Sequence, residues 1–132
     1  MLPRKILLAE DDLDDQALFR EFLQHRTDIT MMPVAENGVV LLEYLENIRQ
    51  ENNLPDLIIL DQNMPKMNGL KTLQALKETD RYAHITVVIY STYTDPELIR
   101  NGFGMGAARI LPKPISKAGY EEMIDDFLKA VG

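Results

Sequence analysis

Three consecutive carboxylates, Glu10-Asp11-Asp12, close a short apolar run, Ile6-Leu7-Leu8-Ala9. A second apolar run, Leu57-Ile58-Ile59-Leu60, ends in the same way at Asp61, and a third, Ala108-Arg109-Ile110-Leu111-Pro112, leads into Lys113-Pro114. Clustered acids cannot all stay ionised without compensation. If the three runs are neighbouring parallel strands, four acids and one lysine meet at one edge of a sheet. Oxygen donors without sulfur or histidine select a hard cation. Two or three carboxylates that leave room for water and a phosphate oxygen suit Mg²⁺ better than a calcium cage. The chemistry these residue types favour is the handling of a phosphoryl group beside a divalent metal. Taken singly, each acid is an ordinary solvated turn residue; it is their joint placement with Lys113 that departs from that case.

The elements that must position these groups alternate along the chain. Residues 5–9 read as a strand, and Asp14-Asp15 open a helix in which Phe19, Phe22 and Leu23 recur at i, i+3 and i+4 on one buried face. Acids at that start suit the positive end of the helix dipole. Residues 30–34 form a second strand, placed at an edge by Pro33, which cannot donate to a ladder. Gly38 precedes a helix carrying Leu41, Leu45 and Ile48 on one side, closed by the Asn52-Asn53-Leu54-Pro55 turn. Residues 57–60 are apolar throughout, as in a central strand covered on both faces. A helix from near Gly69 carries Leu70, Leu73 and Leu76 and fades at Thr79-Asp80. Thr86-Val87-Val88-Ile89-Tyr90 is a fourth strand. Thr94 or Asp95 then caps a short helix with Pro96 in its first turn, ending among Gly102, Gly104 and Gly106. Residues 108–111 are the fifth strand. The last helix starts near Ser116 and bears the stripe Tyr120, Met123, Ile124, Phe127, Leu128 and Val131. This alternation implies an α/β domain, a five-stranded parallel sheet with helices on both faces. Sites in such sheets form beyond the carboxyl ends of the strands, where all the chemistry noted above falls.

Size and composition narrow the classes. The 132 residues fit one domain, 1–132, with a full core and no room for an output domain. The absence of cysteine excludes disulfides, thiolate metal sites and cysteine nucleophiles. Lys and Arg total 14 against 21 Asp and Glu, a net charge of −7, and the basic residues are scattered, which disfavours direct nucleic-acid binding. The first apolar run is too short for a signal segment or a membrane span, so a soluble, cytoplasmic protein is expected. His25 and His84 read as surface or capping residues, and Met31, Met32, Met64 and Met67 as core and loop packing.

Asp61-Gln62-Asn63-Met64-Pro65-Lys66-Met67-Asn68-Gly69 resembles the phosphoacceptor loop of bacterial response-regulator receiver domains of the stand-alone, chemotaxis-regulator-like kind. Glu10-Asp11 match the acidic pair of that family, Ser91-Thr92 its hydroxyl residue and small neighbour, and Lys113-Pro114 its Lys-Pro pair. The likeness extends from residue 5 to residue 128. It implies a flavodoxin-like (βα)₅ fold with strand order 2-1-3-4-5. It further implies that Asp61 takes a phosphoryl group from a sensor histidine kinase or a phosphotransfer protein. Mg²⁺ would be held by Asp11, Asp61 and the backbone carbonyl of Asn63, with Glu10 acting through water. Lys113 would pair with Asp61 before phosphorylation and with a phosphoryl oxygen afterwards, and Ser91 would donate its hydroxyl to another. Phosphoryl transfer needs positioning and charge neutralisation more than covalent chemistry, so this apparatus suffices. Thr92 and Tyr93 follow the hydroxyl residue, and the resemblance implies that Tyr93, with Asn63, lies where side chains control water access to the acyl phosphate. Family precedent gives a cis Lys113-Pro114 bond that aims the amine inward. The first helix, with Leu18 or Phe19 as apolar contact, is the expected kinase docking surface.

One position departs from the family pattern. Many receivers carry an aromatic residue three before the Lys, which swings inward on activation; this chain has Ile110. Output then relies on packing, or on Tyr90 or Tyr93, with the signal still passing through the fourth helix, fifth strand and fifth helix to a downstream protein. Homodimerisation through the same elements is compatible with the pattern. No turnover of a free substrate is expected. A haloacid-dehalogenase-like phosphatase needs a second Asp two positions after the nucleophile, where this chain has Asn63. A flavodoxin-like flavin protein needs a phosphate cradle where Glu10-Asp11-Asp12 would repel the anion. A receiver-shaped binding module that no longer takes phosphate keeps every one of these residues and stands as the alternative.

Overall fold

Successive strand residues point to opposite faces of a sheet, and in this chain both sets are apolar, so helices must cover both sides. In the computed structural model, which describes residues 2–132, they do. The strands are β1 (Arg4–Ala9), β2 (Ile29–Met31), β3 (Leu57–Asp61), β4 (Thr86–Ser91) and β5 (Arg109–Pro112), all parallel, in the order β2-β1-β3-β4-β5. The helices are α1 (Leu13–Leu23), α2 (Gly38–Glu46), α3 (Gly69–Glu78), α4 (Pro96–Gly104) and α5 (Lys117–Lys129), with a single 3₁₀ turn at Glu51–Asn53. The parallel flavodoxin-like sheet expected from the sequence is the one observed.

Leu7, Ile58, Leu60, Val87 and Ile89 pack beneath Leu41 and Leu45 of α2, Leu73 and Leu76 of α3 and Leu98 of α4. Their neighbours Ile6, Leu8, Leu57, Ile59, Val88 and Tyr90 face Phe19 and Leu23 of α1 and Tyr120, Met123, Ile124 and Phe127 of α5. All five helices begin at a side-chain cap. Asp12, Asn37, Asn68, Asp95 and Ser116 each accept a first-turn backbone N–H, which satisfies donors the helix itself leaves unpaired. Asp12 therefore serves α1, and Asp95 rather than Thr94 caps α4.

Two expectations need correction. The second strand is shorter than residues 30–34: Met32 N–H still donates to Ile6 O, but Pro33 has no donor, and pairing resumes only as a single bridge between Ala35 and Ala9. Phe19 is wholly buried against Tyr90 and Tyr120, so it is unavailable as a docking contact. Leu18 is half-buried, and the large apolar side chain that α1 does expose is Leu13, 77% accessible at its first residue. Among the described residues no helix is long and apolar enough to cross a membrane.

Candidate functional site

Because β1 and β3 are neighbours with Ala9 opposite Leu60, the residues that follow, Glu10 and Asp61, emerge side by side. Glu10 is fully buried, Asp61 is 3% exposed and Asp11 is exposed. One carboxylate oxygen from each of these three lies within 4.8 Å of the others. The donor set is oxygen alone, which fits a hard divalent cation.

The register of β5 brings in the lysine. Lys113 N–H donates to Ser91 O at 2.9 Å, extending the β4–β5 ladder, and Nζ reaches Asp15 Oδ2 at 2.8 Å, Glu10 Oε1 at 2.9 Å and Asp61 Oδ1 at 3.4 Å. The amine is thus shared among three acids, and Asp61 is the most distant of them. The Lys113-Pro114 bond is trans, as is every peptide bond among the described residues, which corrects the cis expectation. The lysine stem is long enough to carry Nζ into the acids without a cis bond, and trans is the lower-energy isomer by about 0.5–1 kcal/mol.

Donors surround Glu10. Its Oε1 accepts from the Tyr90 phenol at 2.5 Å as well as from Lys113, its Oε2 from Asp12 N–H at 3.1 Å, and its carbonyl from Gln16 Nε2 at 2.6 Å. Asp61 has no such set. Burial, and then the charge and hydrogen bond of Glu10, push its carboxyl up to about 7 against the pull of Lys113. For Lys113, burial works against the charged amine, but Asp15, Glu10 and Asp61 outweigh it and raise its pKa above the ordinary value. Burial, followed by the Glu10 charge, drives the Tyr90 phenol far above its usual range, so it acts only as a donor.

Ser91 sits on the other face of β4 from Tyr90. Its hydroxyl is wholly buried and is the one buried side-chain polar atom among the described residues without a hydrogen-bond partner. Such an orphan costs roughly 1–3 kcal/mol unless something else accepts from it.

The segment after Asp61 is pinned at both ends. Gly69 N–H donates to Gln62 O at 3.0 Å, Leu70 N–H to Gln62 Oε1 at 2.9 Å, and Lys66 adopts a left-handed φ of 64° at the bend. A Cβ at Gly69 would lie 2.8 Å from Asp61 O, so glycine is required for the loop to fold this closely over the acid. Met64 is buried beneath the loop, while Asn63 and Tyr93, the latter 72% exposed, line an open groove of about 250 Å³ beside the site. Thr92 is exposed and Pro114 half-buried. Ile110 lies under α4, where a Cβ at Gly102 would be only 2.4 Å from its Cδ1; it is a packed core residue of the α2/α3/α4 face, opposite that of Tyr90. His25 pairs with Glu121 on the surface at 2.7 Å and His84 is exposed, as their patterns suggested.

The structure therefore gathers Glu10, Asp11, Asp61 and Lys113, leaves Ser91 buried at the end of the adjoining strand, and adds Asp15 and Tyr90, which the sequence pattern does not place among the acids. In the sequence Asp15 marks a helix start, although the first turn after β1 must fold back over the strand ends. The sequence signal for Tyr90 is a lone phenol closing an otherwise aliphatic strand.

Comparison with known proteins follows the same line. The family described as response regulator receiver domain matches residues 6–125. The chain is 31% identical over 130 residues to the polar-differentiation response regulator DivK of Brucella anthropi, covering 96% of this chain and 98% of that protein. It is 33% identical over 110 residues to a protein-glutamate methylesterase/protein-glutamine glutaminase of Methanospirillum hungatei, covering 83% of this chain but only 31% of the longer relative. Among solved structures, the Mn²⁺-bound form of response regulator Rcp1 aligns with a TM-score of 0.78 at 27% identity, over 94% of this chain and 91% of that one.

Proposed function

The chain belongs to the response-regulator receiver-domain family, which works in phosphorylation-based signalling, and from that premise we propose that Asp61 is its phosphoacceptor. The reading is carried by the unpartnered Ser91 hydroxyl, buried on the strand beside the one that ends in Asp61. A phosphoryl oxygen on Asp61 would give that hydroxyl the acceptor it lacks. Lys113 would supply the cationic side of the same group, moving from its shared position among Glu10, Asp15 and Asp61. An Asp61 carboxylate oxygen forms a bond to phosphorus as the nitrogen–phosphorus bond of a donor phosphohistidine breaks, and the electron pair stays with the imidazole.

Asp11, Asp61 and the Asn63 carbonyl would hold Mg²⁺ directly and Glu10 through water, a donor set that fits the oxygen cluster on this sheet edge. When bound, the cation neutralises the crowded acids and favours the ionised form of Asp61. Thr92, Tyr93 and Asn63 border the approach of water to the acyl phosphate, and Pro114 fixes the backbone beyond Lys113. Ile110 packs rather than rotates, so output passes by repacking of α4, β5 and α5. The donor is a sensor histidine kinase or a phosphotransfer protein, and the output is contact with a downstream protein in the cytoplasm.

With Mg²⁺ and acetyl phosphate, intact-mass spectrometry should show one acid-stable, base-labile phosphoryl group on the wild type and none on Asp61→Asn. Equal labelling of both, or no labelling of either, would overturn the assignment; the second result would leave a phosphate-independent binding module.

A further inference from the structure

We infer that Tyr90 is a positioning residue: its phenol holds Oε1 of Glu10 in place and thereby frees Lys113 to leave that oxygen when the site is loaded. The inference deepens the phosphoacceptor reading and rests on it.

Three observations carry it. The Tyr90 hydroxyl donates to Glu10 Oε1 at 2.5 Å, a distance typical of a charge-assisted O–H···O⁻ bond, in a place where neither residue is exposed to water. The same oxygen accepts from Lys113 Nζ at 2.9 Å, and that amine lies 5.1 Å over the centre of the Tyr90 ring. The ring itself is fixed edge-on by Phe19, at 6.2 Å and 80°. Phenol, carboxylate and amine thus form one closed set, and only the amine has other acids within reach.

A fully buried carboxylate whose cation departs is left uncompensated, at a cost of several kcal/mol in general terms. If Lys113 were the sole side-chain donor to Glu10 Oε1, its movement towards a phosphoryl group would incur that cost and Glu10 would follow it out of place. With Tyr90 present, Oε1 keeps a strong donor throughout, and Oε2 keeps Asp12 N–H. Period-two alternation sends the side chains of Tyr90 and Ser91 to opposite faces of β4. The Ser91 hydroxyl is buried without a partner, and Tyr90, on the other face of the strand, acts on the acid behind the nucleophile.

Residues that orient metal-holding acids in this way typically contribute 10- to 100-fold to metal affinity. Tyr90→Phe keeps the ring and removes only the donor. Isothermal titration of the intact chain with Mg²⁺ should show about tenfold weaker binding for Tyr90→Phe than for wild type. The control is Tyr82→Phe, which removes another buried phenol, one that donates to Glu46 at 2.9 Å away from the acid cluster. It should match wild type in Mg²⁺ affinity. Wild-type binding with equal affinity in Tyr90→Phe would overturn the role of Tyr90 alone. Equal weakening in Tyr90→Phe and Tyr82→Phe would also overturn it, as a general loss of stability. No Mg²⁺ binding by the wild type would overturn the underlying reading. If Tyr90→Phe does not fold, proton NMR of the wild type decides: the hydrogen-bonded Tyr90 hydroxyl resonance should persist when Mg²⁺ is added, and its loss would refute the inference.

Discussion

Asp61 should make the metal-free protein less stable as pH rises, and Asp61→Asn should remove that dependence. Burial and Glu10 raise this carboxyl from an ordinary 3.8 to about 7, so the folded state favours the protonated acid. Between those values the folded chain binds a proton that the unfolded chain has released. Stability from this group is therefore fully present below about 3.8 and is lost as pH rises through about 7. At about 1.4 kcal/mol for each tenfold, the full difference is roughly 4 kcal/mol, of which roughly 2–3 kcal/mol falls between pH 5 and pH 8. Asparagine keeps the shape, can still accept from Lys113, and cannot ionise. Urea denaturation of both proteins in EDTA, at pH 5, 6, 7 and 8, reads the difference directly. The variant should be the more stable at pH 8, and the gap should narrow towards pH 5. Parallel curves, or a variant that loses stability relative to wild type as pH rises, would show that Asp61 is not strained by its neighbours and that the charge reasoning is wrong.

Ser91→Ala should separate stability from chemistry. Because the hydroxyl has no partner among the described residues, its removal should leave stability unchanged or raise it by up to about 1 kcal/mol, while labelling by acetyl phosphate slows. A marked fall in melting temperature would mean the hydroxyl is already satisfied. Lys113→Ala leaves Glu10, Asp15 and Asp61 without their cation and should cost roughly 3–5 kcal/mol near neutral pH. Thermal melts should show that Mg²⁺ restores more stability to this variant than it adds to wild type; identical metal effects on the two would contradict the shared-cation geometry.

Much of this protein is legible in its sequence because the governing physics is local. Continuous apolar runs at residues 57–60 and 87–90, helical spacing from Tyr120 to Phe127, and helix starts near Thr94-Asp95 and Ser116 each depend on a few adjacent residues, and the structure follows them closely. Apolar strands that end in Asp61 and in Glu10-Asp11 were enough to place the acids together, since parallel strands bring their carboxyl ends to one edge. What needed tertiary structure was how each charge is shared. Lys113 lies 98 residues from Asp15, and Tyr90 lies 80 from Glu10, so no spacing rule links them. The burial of Phe19 depends on the ring of Tyr120 across α1 and α5. By itself the sequence determined which residues stand at the sheet edge. Only the packing of distant segments decided which of them would be desolvated, and hence that Glu10 is held by a phenol while Asp61 is left strained and Ser91 unpartnered.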